Sequence, residues 1–194
     1  MNRLRETEDN FQTDDGLSIF YRHRPAENET ARLVLAHGLG EHSGRYAHVI
    51  DSMAGAGISV WAMDHRGHGR SEGRRGHVNA IDQYLNDLKQ FVSIARNDMP
   101  QPMKCFLLGH SMGGLIVLRC AEQFPDIAHG VIASSPGLNP GMKVPVIKGA
   151  VAKILSRIWP SLTFDNELNS DFLSHDTDVV AAYDNDPLVH RNIT

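Results

Sequence analysis

Cysteine is scarce in this chain: 194 residues include two, Cys105 and Cys120. Each sits in an apolar run, one strand-like and one helix-like, so both read as small buried hydrophobes rather than a disulfide framework. Positive charge is not in surplus. Nineteen Lys and Arg against 23 Asp and Glu leave a formal net charge of −4, which argues against a general nucleic-acid binder. Long apolar stretches are missing, since no window approaches the roughly 18 residues of a spanning helix. The opening Met-Asn-Arg-Leu-Arg-Glu-Thr-Glu-Asp-Asn has no apolar core of a secretory leader. A reduced, cytoplasmic setting is the matching expectation. No internal repeat or low-complexity tract is present. What remains, at 41% hydrophobic and 22% charged residues, suits one globular domain with a sizeable core.

Short apolar strands alternate with amphipathic helices along the chain, the pattern of a mostly parallel sheet with helices on both faces. Strands are expected at Leu17–Tyr21, Arg32–Ala36, Ile58–Ala62, Cys105–Leu108 and Val131–Ala133. Tyr46, Val49, Ile50 and Met53 repeat at helical spacing, and Ile81, Tyr84, Leu85, Leu88, Val92 and Ala95 do so over a longer segment ending before Pro100. After Ser134-Ser135-Pro136-Gly137 the texture changes. Ile147, Val151, Ile154, Leu155 and Ile158 line one helical face, with Lys148, Lys153 and Arg157 elsewhere on the wheel. That segment reads as an insertion over the carboxyl edge of the sheet. The expected division is a core over 1–137, a cap over 138–190 and a return toward the core at 191–194.

Gly109-His110-Ser111-Met112-Gly113 joins an apolar strand to a helix-forming run. This is the G-x-S-x-G pattern in its strand–turn–helix setting, where a tight turn leaves no room for side chains two residues either side of the serine. Ser111 is the candidate nucleophile. An oxyanion hole in this arrangement takes one N–H from the residue after the serine, Met112, and one from the loop after an earlier strand. That loop is His37-Gly38-Leu39-Gly40-Glu41-His42, and Leu39 is the second donor. The basic, glycine-rich stretch Asp64–His77 matches no phosphate-binding fingerprint. It reads as a structural loop in which Asp64 and Arg66 pair and bond backbone.

Three blocks, His37–Tyr46, Asp64–Ser71 and Gly109–Gly114, together with Asp186-Pro187-Leu188-Val189, closely resemble the monoacylglycerol lipase and lysophospholipase group of α/β-hydrolases. Sequence classifications file that group with serine aminopeptidase-like (S33) hydrolases. The resemblance implies an α/β-hydrolase fold with a cap insertion and a lipid-ester substrate cleaved through an acyl-enzyme on Ser111, with no cofactor and no metal. It places Glu41 and Arg45 near the polar head of the substrate and Tyr183 at the glycerol end of the pocket. It also makes the helix from about Val144 to Trp159 a cap that shields the acyl tunnel and offers peripheral membrane contact. Alternatives are a serine aminopeptidase or general carboxylesterase, and a non-catalytic lipid- or protein-binding fragment.

One part of the machinery does not show. The triad order in this fold is Ser, then Asp or Glu, then His. After Ser111 the histidines are His129, His175 and His190, and none follows a late strand with a preceding acid. The triad acid and base are therefore expected beyond Thr194, and the last strands of the fold are expected to be absent, with completion of the sheet by a partner as the alternative. Val131–Ala133 would then be a sheet edge.

Overall fold

The computed structural model describes residues 4–138, 164–165 and 170–194. Six strands, β1 (Thr7–Gln12), β2 (Ser18–Arg24), β3 (Ala31–Ala36), β4 (Ile58–Met63), β5 (Lys104–His110) and β6 (Gly130–Ser134), form one sheet in the order β1-β2-β4-β3-β5-β6. β4, β3, β5 and β6 run parallel, while β1 and β2 add an antiparallel edge. The expected cap helix over 144–159 lies outside the described residues.

The central strands carry continuous apolar runs because both their faces are covered. Along β3, Val34 and Ala36 join the cluster beneath α2 (Ile81–Arg96) and α3 (Met112–Gln123), while Leu33 and Leu35 join the cluster beneath α1 (Ala47–Gly55). β5 alternates the same way: Cys105 and Leu107 face the first cluster, Phe106 and Leu108 the second. Both cysteines are free and buried, as expected. β6 is the outer strand of this sheet, and Ile132 on it is 52% exposed.

All five expected strands form, each longer by one to three residues or shifted by one. β1 was not expected. Its sequence Thr-Glu-Asp-Asn-Phe-Gln buries Phe11 and exposes the rest, so it offers no apolar alternation to read. Further elements lie past the sheet. A two-residue strand β7 (Phe164–Asp165) pairs antiparallel with β8 (Asn192–Ile193), and α4 (Thr177–Asp184) stands between them with Asp176 as its side-chain N-cap.

β3 positions the site. The chain leaves it toward β4 on one side and later returns on the other side as β5, so a crevice opens at the carboxyl ends of β3 and β5. In open α/β sheets such a reversal point is where ligands bind.

Candidate active site

Ser111 caps the N-terminus of α3 at φ 51° and ψ −115°, a left-handed conformation for a residue with a side chain. Such a conformation costs on the order of 1–3 kcal/mol and persists where the surroundings fix it. Here they do. Ser111 N–H donates to the Ser134 carbonyl at 3.0 Å, and the Ser111 carbonyl accepts from Gly137 at 3.0 Å and Leu115 at 3.1 Å. The flanking glycines are steric necessities: a Cβ on Gly109 would stand 2.2 Å from the Gly113 carbonyl oxygen, and one on Gly113 would stand 2.2 Å from the Ala36 oxygen. The turn thus pushes the serine hydroxyl up from the strand end, at the positive end of a helix.

The loop after β3 comes directly over it. A Cβ on Gly38 would lie 3.4 Å from Ser111 Cβ. Gly38 N–H donates to Glu41 Oε1 at 2.7 Å. Neither Leu39 N–H nor Met112 N–H meets an acceptor among the described residues. Two unspent amides near a half-buried serine side chain can stabilise an oxyanion.

Glu41, Arg45 and Tyr183 are brought together. Glu41 Oε1 also accepts from Tyr46 Oη at 2.6 Å, and Oε2 accepts from Arg45 Nε at 3.3 Å. The Arg45 guanidinium lies 4.6 Å over the Tyr183 ring. Tyr46, which the sequence marks only as apolar helix surface, is here a polar partner. Burial, reinforced by the Glu41 charge beside it, pushes its phenol pKa up. The chain just after α4 is held to the same loop. His42 Nε2 donates to Asp186 Oδ2 at 2.8 Å, and His190 N–H donates to the Gly40 carbonyl at 2.9 Å. Burial works against the Asp186 charge, but the His42 bond and the Leu188 amide outweigh it and hold the pKa low.

Asp64 and Arg66 do not pair, contrary to the sequence reading. Asp64 Oδ1 accepts from Ser43 N–H at 2.8 Å and Ser43 Oγ at 2.6 Å, and its Oδ2 accepts from Arg70 N–H at 2.8 Å. Arg66 grips Asp87 at 2.6 and 2.7 Å and Asp15 at 2.8 and 3.0 Å. His65 lies between them with its amide held by His37 Nε2 at 2.9 Å, so the neighbouring side chains serve different walls of the loop. The structural reading of the stretch stands; its pairing does not.

The histidines after Ser111 are occupied elsewhere. His129 is exposed with Nδ1 on the Cys105 amide at 3.1 Å, His175 is exposed, and His190 Nε2 donates to the Gly67 carbonyl at 3.1 Å. None of them bonds Ser111 Oγ among the described residues. No group of three His, Cys, Asp or Glu among those residues could hold a metal ion, and none of their helices is long and apolar enough to cross a membrane. A cleft of about 620 Å³ beside Arg24, Asp51 and Gly57 lies at the opposite ends of β3 and β4.

A mostly parallel sheet, a strained serine between strand and helix, and a glycine-rich loop poised over it define an α/β-hydrolase. Solved structures agree. The monoacylglycerol lipase of Paleococcus ferrophilus superposes with a TM-score of 0.76 at 40% identity, covering 98% of this chain and 66% of that one. A soluble variant of monoglyceride lipase from Saccharomyces cerevisiae, in complex with a substrate analog, gives a TM-score of 0.83 at 26% identity over 96% of this chain and 63% of that one. The chain belongs to the family described as serine aminopeptidase, S33, whose pattern it matches over residues 27–194. It is 40% identical over 186 residues to the monoacylglycerol lipase of Mycolicibacterium smegmatis, which covers 95% of this chain and 66% of that protein. The chain therefore spans slightly less than two thirds of the length of these relatives.

Proposed function

We propose that the chain carries the nucleophile-bearing part of a serine ester hydrolase for lipid monoesters, with Ser111 as nucleophile. In this reading Ser111 Oγ attacks the ester carbonyl carbon while a histidine base takes the hydroxyl proton. Leu39 and Met112 N–H groups receive the negative charge that develops on the carbonyl oxygen. The C–O bond to the alcohol then breaks, and water later releases the acid from Ser111. Arg45 and Tyr183 sit where the alcohol end of the ester would lie, and Glu41 fixes the loop beside them. The cover over the acyl chain is assigned to the segment 138–190, much of which lies outside the described residues, and delivery of such a substrate would bring peripheral contact with a lipid surface.

The observation that carries this is the strained Ser111 backbone with Gly38 packed against it, while the Leu39 and Met112 N–H groups meet no acceptor among the described residues. The names of the Mycolicibacterium and Paleococcus relatives support the substrate class. An aminopeptidase reading needs a free acid to anchor the amine. Glu41 is spent on Gly38, Tyr46 and Arg45, which favours the ester.

The test is prolonged exposure to a fluorophosphonate followed by intact-mass and peptide analysis, beside a Ser111→Ala control. Labelling is expected at Ser111 alone and absent from the control. It should be slow, because no histidine bonds Ser111 Oγ among the described residues, and an oxyanion hole unaided by a base retains roughly 10³–10⁴-fold of the acceleration over water. No adduct, or one that persists in Ser111→Ala, would overturn the assignment.

A further inference from the structure

Four imidazoles meet behind the loop that carries Leu39. His37 packs on His65 at 4.4 Å between ring centroids and on His68 at 5.4 Å, and His68 packs on His190 at 4.7 Å. His37, His65 and His68 are fully buried. The bonds of His37 and His68 set their tautomers. His37 Nδ1–H donates to the Gly38 carbonyl while Nε2 accepts from the His65 amide, and His68 Nδ1–H donates to the Arg66 carbonyl. Among the described residues, His68 Nε2 and both His65 ring nitrogens are buried without a hydrogen-bond partner. Stacked imidazoles in such a site must stay uncharged.

His190 differs from the other three. It comes from the chain after α4, is half-buried, and touches both walls of the site. Its amide holds the Gly40 carbonyl at 2.9 Å, and its Nε2–H holds the Gly67 carbonyl at 3.1 Å. Nδ1 is buried and makes no hydrogen bond among the described residues, although the Asn192 carbonyl lies near the ring. We propose that neutral His190 is a positioning residue that clamps the Gly38–Glu41 loop to the loop after β4, and that protonation of its ring releases the clamp. In the charged form the ring faces His68 and His37, with Arg75 also near, and gains no carboxylate in exchange. Tyr84 of α2 packs on His65 and His68 but carries no charge at these pH values. On the same segment, Asp186 bonds His42, and Arg191 meets Asp184 at 3.5 Å, so the nearby acids are taken. Burial, then Arg75 and His37, outweigh the Gly67 and Asn192 carbonyls and keep the His190 pKa low.

The consequence for Leu39 rests on its reading as an oxyanion donor; the clamp itself can be read whether or not Ser111 reacts. Amide hydrogen exchange by NMR at pH 7.5 and 5.5 gives protection factors for His190 and residues 38–41, referred to the amides of β3 and β5. In the wild-type chain these should fall as the His190 ring titrates. The fall should approach about tenfold per pH unit wherever the released ring is charged and the clamped one is neutral. His190→Gln keeps a donor for Gly67 but cannot titrate, so it should hold its protection at both pH values. His190→Ala should be unprotected at both. Wild-type protection that survives titration of the ring would overturn the clamp. So would an equal fall in His190→Gln, or wild-type protection in His190→Ala. Should a variant fail to fold, the wild-type coincidence of ring titration and lost protection decides alone.

Discussion

At the scale of the residue, Ser111 trades stability for position. Its φ of 51° and ψ of −115° suit glycine better than any residue with a Cβ. Ser111→Ala keeps the Cβ and hence the strain, whereas Ser111→Gly removes it. Part of that gain is offset by the greater freedom of an unfolded glycine, roughly 0.4–1 kcal/mol. Ser111→Gly is therefore expected to be about 1 kcal/mol more stable than Ser111→Ala. The difference in urea midpoints at equal slope measures it; an equal or lower stability for glycine would mean the turn is not strained. The serine and its glycines were legible in the sequence because the turn dictates them. The partners of Glu41 were not. Gly38, Tyr46 and Arg45 lie within five residues of it, yet only the three-dimensional course of the loop decides which atoms face inward.

At the scale of the element, the seating of α3 against β3 depends on one absent side chain. A Cβ on Gly113 meets the Ala36 oxygen at 2.2 Å and the His37 oxygen at 2.5 Å, both rigid backbone. Gly113→Ala should therefore cost at least about 2 kcal/mol and displace the loop bearing Leu39. Gly55, at the end of α1, has nothing within 4 Å of a built Cβ. Gly55→Ala should raise stability by about 0.5–1 kcal/mol. Opposite signs for two glycine-to-alanine changes, read by denaturant unfolding, separate close packing from chain entropy. The longer elements were legible for a related reason. β3, β4 and β5 are buried on both faces and α2 on one, so their apolar spacing is fixed by the environment. β1 and α4 are mostly exposed, and their sequences carry little such record.

At the scale of the molecule, buried neutral histidines couple stability to pH. Burial holds the pKa values of His37, His65 and His68 below the ordinary imidazole value. The unfolded chain binds protons near pH 6.5 while the folded one does not, so protonation favours unfolding. Stability should be full above pH about 6.5 and fall below it, by up to about 1.4 kcal/mol per pH unit for each histidine. Urea unfolding at pH 7.5, 6.5 and 5.5 checks this, and a flat profile across that range would show that the cluster is charged or hydrated. The sequence by itself determined the elbow, the loop over it, the central strands and the family, because each is a local rule: a turn without room for a Cβ, or an apolar run between covered faces. Only the tertiary structure decided which polar groups meet. Asp64 turned to Ser43 and Arg66 to Asp87 and Asp15. Tyr183 came under Arg45 from 138 residues away, and His190 joined His68 from beyond α4. Those pairings depend on how the chain returns over the carboxyl ends of β3 and β5, a long-range geometry that spacing along the sequence does not encode.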